Sequence, residues 1–154
     1  MKIKSGMSDT GRKTVAKALY HFLADTYVIY LKSQNFHWNV KGPNFFALHL
    51  LFEKQYAELA EALDEIAERI QALGFHVDAS FAGLQKECCI ADDRKPLAAK
   101  KMIQKLLSAH EELICCGREI AKIVDENNDQ ASADLIARRL GTHEKMAWML
   151  RSHL

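Results

Sequence analysis

Apolar residues recur three and four positions apart through most of this chain, and no stretch alternates apolar with polar residues as a strand would. The first helix is predicted over about residues 14–38, with Val15, Leu19, Phe22, Leu23 and Tyr30 on its apolar side. The segment "VKGP" ends it, because Gly42 and Pro43 interrupt the pattern. The second helix runs from about Asn44 to Leu73 and stops at Gly74. The third begins near Pro96, a good first-turn residue, and fades in the polar "DENND". The fourth runs from about Ala131 to the C-terminus. Between the second and third lies "FHVDASFAGLQKECCIADDRK", too long for a tight turn, in which Phe81 and Leu84 predict a short extra helix. Helices of 25–30 residues are about 37–45 Å long. Four of them make an all-α four-helix bundle the expected fold.

The second helix has more than one patterned face. Phe45, Leu48, Phe52, Tyr56, Leu59, Leu63, Ile66, Ile70 and Leu73 form one stripe, which packs on the other helices. A separate flank carries His49, Glu53, Asp64 and Glu68, with Phe46, Leu50, Ala57, Ala60 and Ala67 among them. Small residues let another helix approach closely, and a single bundle covers only one face. The flank is therefore expected to meet a second copy of the chain.

Distance decides how its polar residues can combine. Glu53 and Asp64 are eleven residues apart, about 16 Å along the axis, whereas metal–oxygen bonds are about 2 Å. One ion reaches both ends only if two copies of the helix pack antiparallel about a two-fold axis, which creates two identical sites. His37, at the end of the first helix, would join the His49–Glu53 half. The expected set is His37, His49 and Glu53 from one chain with Asp64 and Glu68 from its partner. Two imidazoles and three carboxylates suit Fe(II), Zn(II) or Mn(II) better than Cu(I). A di-iron centre inside one bundle is disfavoured: it needs Glu-x-x-His on two helices, the sequence contains none, and the first helix has no Glu.

Composition adds bounds. The chain has 154 residues, 49% hydrophobic and 27% charged, as one globular domain requires. Residues 1–12 read as a short flexible N-terminal tail. No apolar run approaches a membrane span, and the hydrophilic "MKIKSGMSDTGRK" has no secretory core. A net charge of +1 gives no case for nucleic acid by itself. The four cysteines form two adjacent pairs, Cys88–Cys89 and Cys115–Cys116, with no CxxC spacing. They read as reduced, partly buried thiols of a cytosolic protein. His21, His76, His110, His143 and His153 read as isolated surface or capping residues, and Trp148 as buried packing.

The blocks "FHWNVKGPNFFALHLLFE", "YAELAEALDEIAERIQALG" and "THEKMAWMLRSHL" resemble the Dps family, the mini-ferritins that protect DNA in starved bacteria. The resemblance implies a ferritin-like four-helix subunit with a short helix between helices 2 and 3, assembled as a hollow dodecamer. It implies ferroxidase centres at two-fold interfaces, with ligand positions falling on His37, His49, Glu53, Asp64 and Glu68. Glu53 stands where many members have Asp. Trp38 matches a tryptophan beside the centre, a candidate electron donor. The implied chemistry is Fe(II) oxidation, preferably by hydrogen peroxide, with storage of ferric mineral in a bacterial, cytoplasmic cage. Acidic pores near the start of the last helix would admit iron, with Asp129 and Asp134 the preferred pair among Asp125, Glu126, Asp129 and Asp134. Some members bind DNA through lysine-rich tails. Here Lys2, Lys4, Arg12 and Lys13 would serve, giving salt-sensitive, non-specific and nucleoid-associated binding when multiplied over many subunits. The competing function is a DNA-compacting shell whose histidine–carboxylate seam is structural or holds a non-redox ion.

Overall fold

The computed structural model describes residues 3–154, which form five helices: α1 (Asp9–Asn39), α2 (Phe45–Ala72), α3 (Phe81–Glu87), α4 (Ala99–Glu126) and α5 (Gln130–Arg151). The four long helices and the short one between the second and third are those expected. No strand occurs among the described residues.

α1 starts earlier than its apolar pattern indicates. The Ser8 hydroxyl caps it by accepting the Gly11 N–H at 3.0 Å. The Arg12 guanidinium then bonds to Asp9 at 2.6 Å and to the Leu73 carbonyl at 3.0 Å, at the end of α2. Residues 9–12 are thus helical, with Gly11 and Arg12 buried. Polar first turns carry no apolar period, so the pattern begins late.

Gly42, at φ +115°, makes the turn between α1 and α2, and the Phe45 N–H bonds back to its carbonyl at 3.0 Å. α2 ends as expected at Gly74, whose φ of +94° lets the Phe75 N–H return to the Ile70 carbonyl. α4 begins at Ala99, three residues past Pro96. Asp129 caps α5, accepting the Ser132 N–H at 3.2 Å.

α1 packs on α2, α4 packs on α5, and α1 and α4 join the two hairpins. The centre is filled by Leu19, Phe22, Phe36, Phe52, Leu59 and Leu106, all essentially inaccessible. The core stripe of α2 is buried as expected except at its start and edge: Phe45 is exposed and Tyr56 half-buried. No helix is long and apolar enough to cross a membrane.

Candidate metal centre

The Gly-Pro turn brings His37 and His49 face to face. Their rings stack with centroids 3.7 Å apart and planes 18° from parallel. Each ring grips the other's backbone: His37 Nδ1 lies 2.8 Å from the His49 carbonyl oxygen, and His49 Nδ1 lies 2.9 Å from the His37 carbonyl oxygen. A carbonyl only accepts, so both Nδ1 atoms carry the proton. In the neutral ring Nε2 is then a bare lone pair, the form a metal takes, with ring orientation fixed by the other nitrogen. Phe45 stacks on His49 at 5.0 Å and Tyr56 meets His37 edge-on at 5.3 Å, which further restricts the rings.

Phe46, His49, Leu50, Glu53, Ala57, Ala60, Asp64, Ala67 and Glu68 fall within about 100° of the α2 surface, opposite its buried stripe. All are exposed except His49 and Ala67, which are half-buried. Phe46 is 72% accessible, and Trp38, next to His37 in α1, is 67% accessible, two large exposed apolar side chains. The side chains of Glu53, Asp64 and Glu68 form no hydrogen bond or ion pair among the described residues. Nowhere among those residues do three or more His, Cys, Asp or Glu converge on one ion position. One chain therefore presents the two halves of the expected set separately.

Other expected site residues lie elsewhere. The Asp129 carboxylate is 4% accessible, and both its oxygens accept from Arg69 at 2.7 and 2.8 Å. These bonds and those from Ser132 hold its carboxyl below the usual carboxylate range despite burial. It fastens α2 to α5 inside the subunit, so of the two preferred pore residues only Asp134 is exposed. Asp134 is exposed and pairs with Arg138 at 2.9 Å. Arg12 is corrected too, since its buried guanidinium is committed to Asp9 and Leu73. Lys4 and Lys13 are exposed, and Lys2 lies outside the described residues. Trp148 is 60% accessible, not buried, because it sits on the outer side of α5.

Two histidines taken as isolated are paired in the core. His143 Nε2 receives the Arg139 guanidinium at 3.5 Å, His110 and His143 meet through their Nδ1 atoms at 2.9 Å, and His110 Nε2 lies 3.2 Å from Gln55 Oε1. Arginine only donates, so the His143 proton is on Nδ1 and points at His110. His110 then carries its proton on Nε2 and donates to Gln55. The chain runs from Glu58, which holds Arg139, through both rings to α2. Burial and the Arg139 charge push His110 down to about 3, and burial with His110 and Arg139 lowers His143. The available signal was positional: Gln55 sits on the α2 core stripe, and His110 lies between Leu106 and Leu113.

A profile of the ferritin-like domain family matches residues 16–154. The chain is 36% identical to an uncharacterized low temperature-induced protein of Nostoc, over 99% of this chain and 87% of that one. It is 33% identical to a DNA protection during starvation protein of Brevibacillus brevis, over 96% of this chain and 99% of that one. The Dps protein of Vibrio cholerae, described as a member of a broad superfamily of ferritin-like diiron-carboxylate proteins, superposes with a TM-score of 0.92 at 30% identity, covering 99% of this chain and 96% of that one. With its five-helix order and its histidine-bearing α1–α2 turn, the chain belongs to the ferritin-like family and, within it, to the Dps mini-ferritins.

Proposed function

We propose that this chain is the subunit of an iron-oxidising and iron-storing cage whose catalytic centres form between two copies. The observation that carries the reading is the reciprocal His37–His49 clamp, which leaves both Nε2 atoms free, with His49 on the same flank of α2 as Glu53. Antiparallel pairing of α2 across a two-fold axis brings the partner's half of the set, Asp64 and Glu68, to that point. The exposed Phe46 and Trp38 supply the apolar area that such pairing buries. A single domain assembled twelvefold gives a closed shell with a cavity for mineral.

Fe(II) is the substrate. His37 and His49 hold it through neutral nitrogen, and the carboxylates offset the charge gained on oxidation. Two Fe(II) give one electron each to one hydrogen peroxide. The O–O bond breaks, two protons are taken up and two waters leave, so no hydroxyl radical is released. Trp38, next to His37 in the chain, would surrender an electron should only one iron be present. Asp134, with exposed Asp125 and Glu126, is the acidic surface left for iron uptake. Zn(II) and Mn(II) suit the same donors and would act as competitors. The cage is expected in the bacterial cytoplasm.

The test is anaerobic Fe(II) followed by peroxide, with ferric absorbance as the readout. Wild type turns over, and His37→Ala with Asp64→Ala is slowed at least tenfold; equal rates refute the assignment. Chains carrying His49→Ala and chains carrying Asp64→Ala, reassembled together, regain one intact centre per mixed pair. DNA compaction has less behind it, because Arg12 is withdrawn and Lys4 and Lys13 remain as the described basic groups of the terminus. Duplex DNA unshifted even at low salt removes that activity.

A further inference from the structure

The iron reading leaves both cysteine pairs unused, yet the fold brings them to one place. The connection after α3 lies along the groove between α1 and α4. Asp25 Oδ1 of α1 accepts the N–H groups of Cys89 at 2.7 Å and Ile90 at 2.9 Å. Further on, Lys32 of α1 bonds to the Ala91 carbonyl at 2.9 Å, and Lys105 of α4 reaches Asp93 at 3.4 Å. Lys105 and Cys116 are eleven residues apart, three helical turns, so they share a face of α4. The level of Cys116 is fixed independently: a Cβ on adjacent Gly117 would lie 3.2 Å from the Phe22 ring, one turn before Asp25. Cys89, hung on Asp25, and Cys116 therefore lie on the same groove within about one helical turn of each other.

Their surroundings divide the work. Cys89 is exposed, whereas Cys88 donates its thiol to the Gln85 carbonyl at 3.5 Å. Cys115 is exposed but turned about 100° around α4. Cys116 is half-buried, and burial with the charges of Asp25 and Cys89 pushes its thiol up to about 11. It stays protonated at neutral pH and does not compete for oxidant.

We infer that Cys89 and Cys116 are a peroxide-responsive dithiol that closes to an intrachain disulfide and fastens the α3–α4 connection to α4. The Cys89 sulfur attacks one peroxide oxygen, the O–O bond breaks, and a sulfenic acid and one water form. The Cys116 thiol then passes its proton to the sulfenic oxygen as its sulfur attacks the sulfenic sulfur, the S–O bond breaks, and a second water leaves. Two thiol protons and one peroxide become one disulfide and two waters. No metal takes part, so the inference stands or falls apart from the iron chemistry.

The experiment uses the intact assembly, reduced, freed of iron by a chelator and treated with hydrogen peroxide. Wild type should lose two of its four alkylatable thiols and the mass of two hydrogens. Trypsin, cutting after Lys86, Arg94, Lys105 and Arg118, should yield peptide 87–94 joined to peptide 106–118. Cys88→Ser and Cys115→Ser should keep the link, and Cys89→Ser should lose it. Cys116→Ser should stop at a sulfenic acid on Cys89 that dimedone traps. Four free thiols after peroxide overturn the inference, as does a link that survives Cys89→Ser or joins two chains. Each peptide holds two cysteines, so fragment-ion spectra of the linked wild-type peptides, read for Cys89–Cys116 against the other pairings, decide the matter even if a variant fails to fold, and non-reducing electrophoresis shows whether the link joins two chains.

Discussion

Acid should loosen this bundle well above the pH at which its carboxylates protonate, and the His110–His143 pair sets the window. An unfolded histidine binds its proton near pH 6.5. In the folded chain His110 does so only at about 3. Between those values the unfolded state binds the extra proton, so stability falls as pH falls, by about 1.4 kcal/mol per unit for one fully excluded proton. From pH 8 to pH 4.5 His110 alone removes on the order of 3 kcal/mol. His143, lowered for the same reasons, acts in the same direction. A proton on either ring would stand beside Arg139 and break the one donor sequence that satisfies the chain from Arg139 to Gln55. Asp93 and Asp129, whose carboxyls are held low by Lys32 and Arg69, contribute only further down, as pH falls below the usual carboxylate value. The assay is urea unfolding by far-UV circular dichroism at fixed protein concentration between pH 8 and 4.5, because assembly is linked to stability. Wild type is compared with His110→Asn plus His143→Asn. The variant should be weaker at pH 8 yet nearly flat from 6.5 to 4.5. Parallel profiles for the two proteins would refute the reasoning, since the loss would then come from other groups.

Three further outcomes follow from the same geometry. Asp129→Ala should destabilise by about 3 kcal/mol in urea unfolding, because it strands Arg69 and uncaps α5, whereas Asp134→Ala at the exposed pair should leave the midpoint nearly unchanged. Phe46→Glu with Trp38→Glu should give lighter species in sedimentation velocity at unchanged helicity; a full-sized assembly would place the subunit seam elsewhere. Arg12→Ala should cost about 1–2 kcal/mol through the lost bond to the Leu73 carbonyl without weakening any DNA retardation, and a selective loss of DNA affinity would restore Arg12 to the tail.

Local chemistry was enough for the helices and for half of the centre. The 3.6-residue period marked four long helices, Gly42 and Gly74 marked where two of them end, and the flank of α2 was recognisable because His49, Glu53, Asp64 and Glu68 fell off the buried stripe with alanines between them. The sequence also separated the two halves of the set by about 16 Å of helix, a covalent fact that no packing inside one chain can undo. The roles of individual polar residues were decided only in three dimensions. Asp129 and Asp134 look alike in the chain, but Arg69 comes from α2, sixty residues away, to bury one and not the other. Arg12 looks like a tail charge until α2 ends beside it and offers the Leu73 carbonyl. His110 and His143 look solitary because their partner is each other, thirty-three residues apart, and the two cysteine pairs look unrelated until α1 draws the connection into its groove. A helix periodicity is written in neighbours along the chain. The state of a polar side chain is set by whichever group the fold places within hydrogen-bonding distance, and only the packed structure supplies that group.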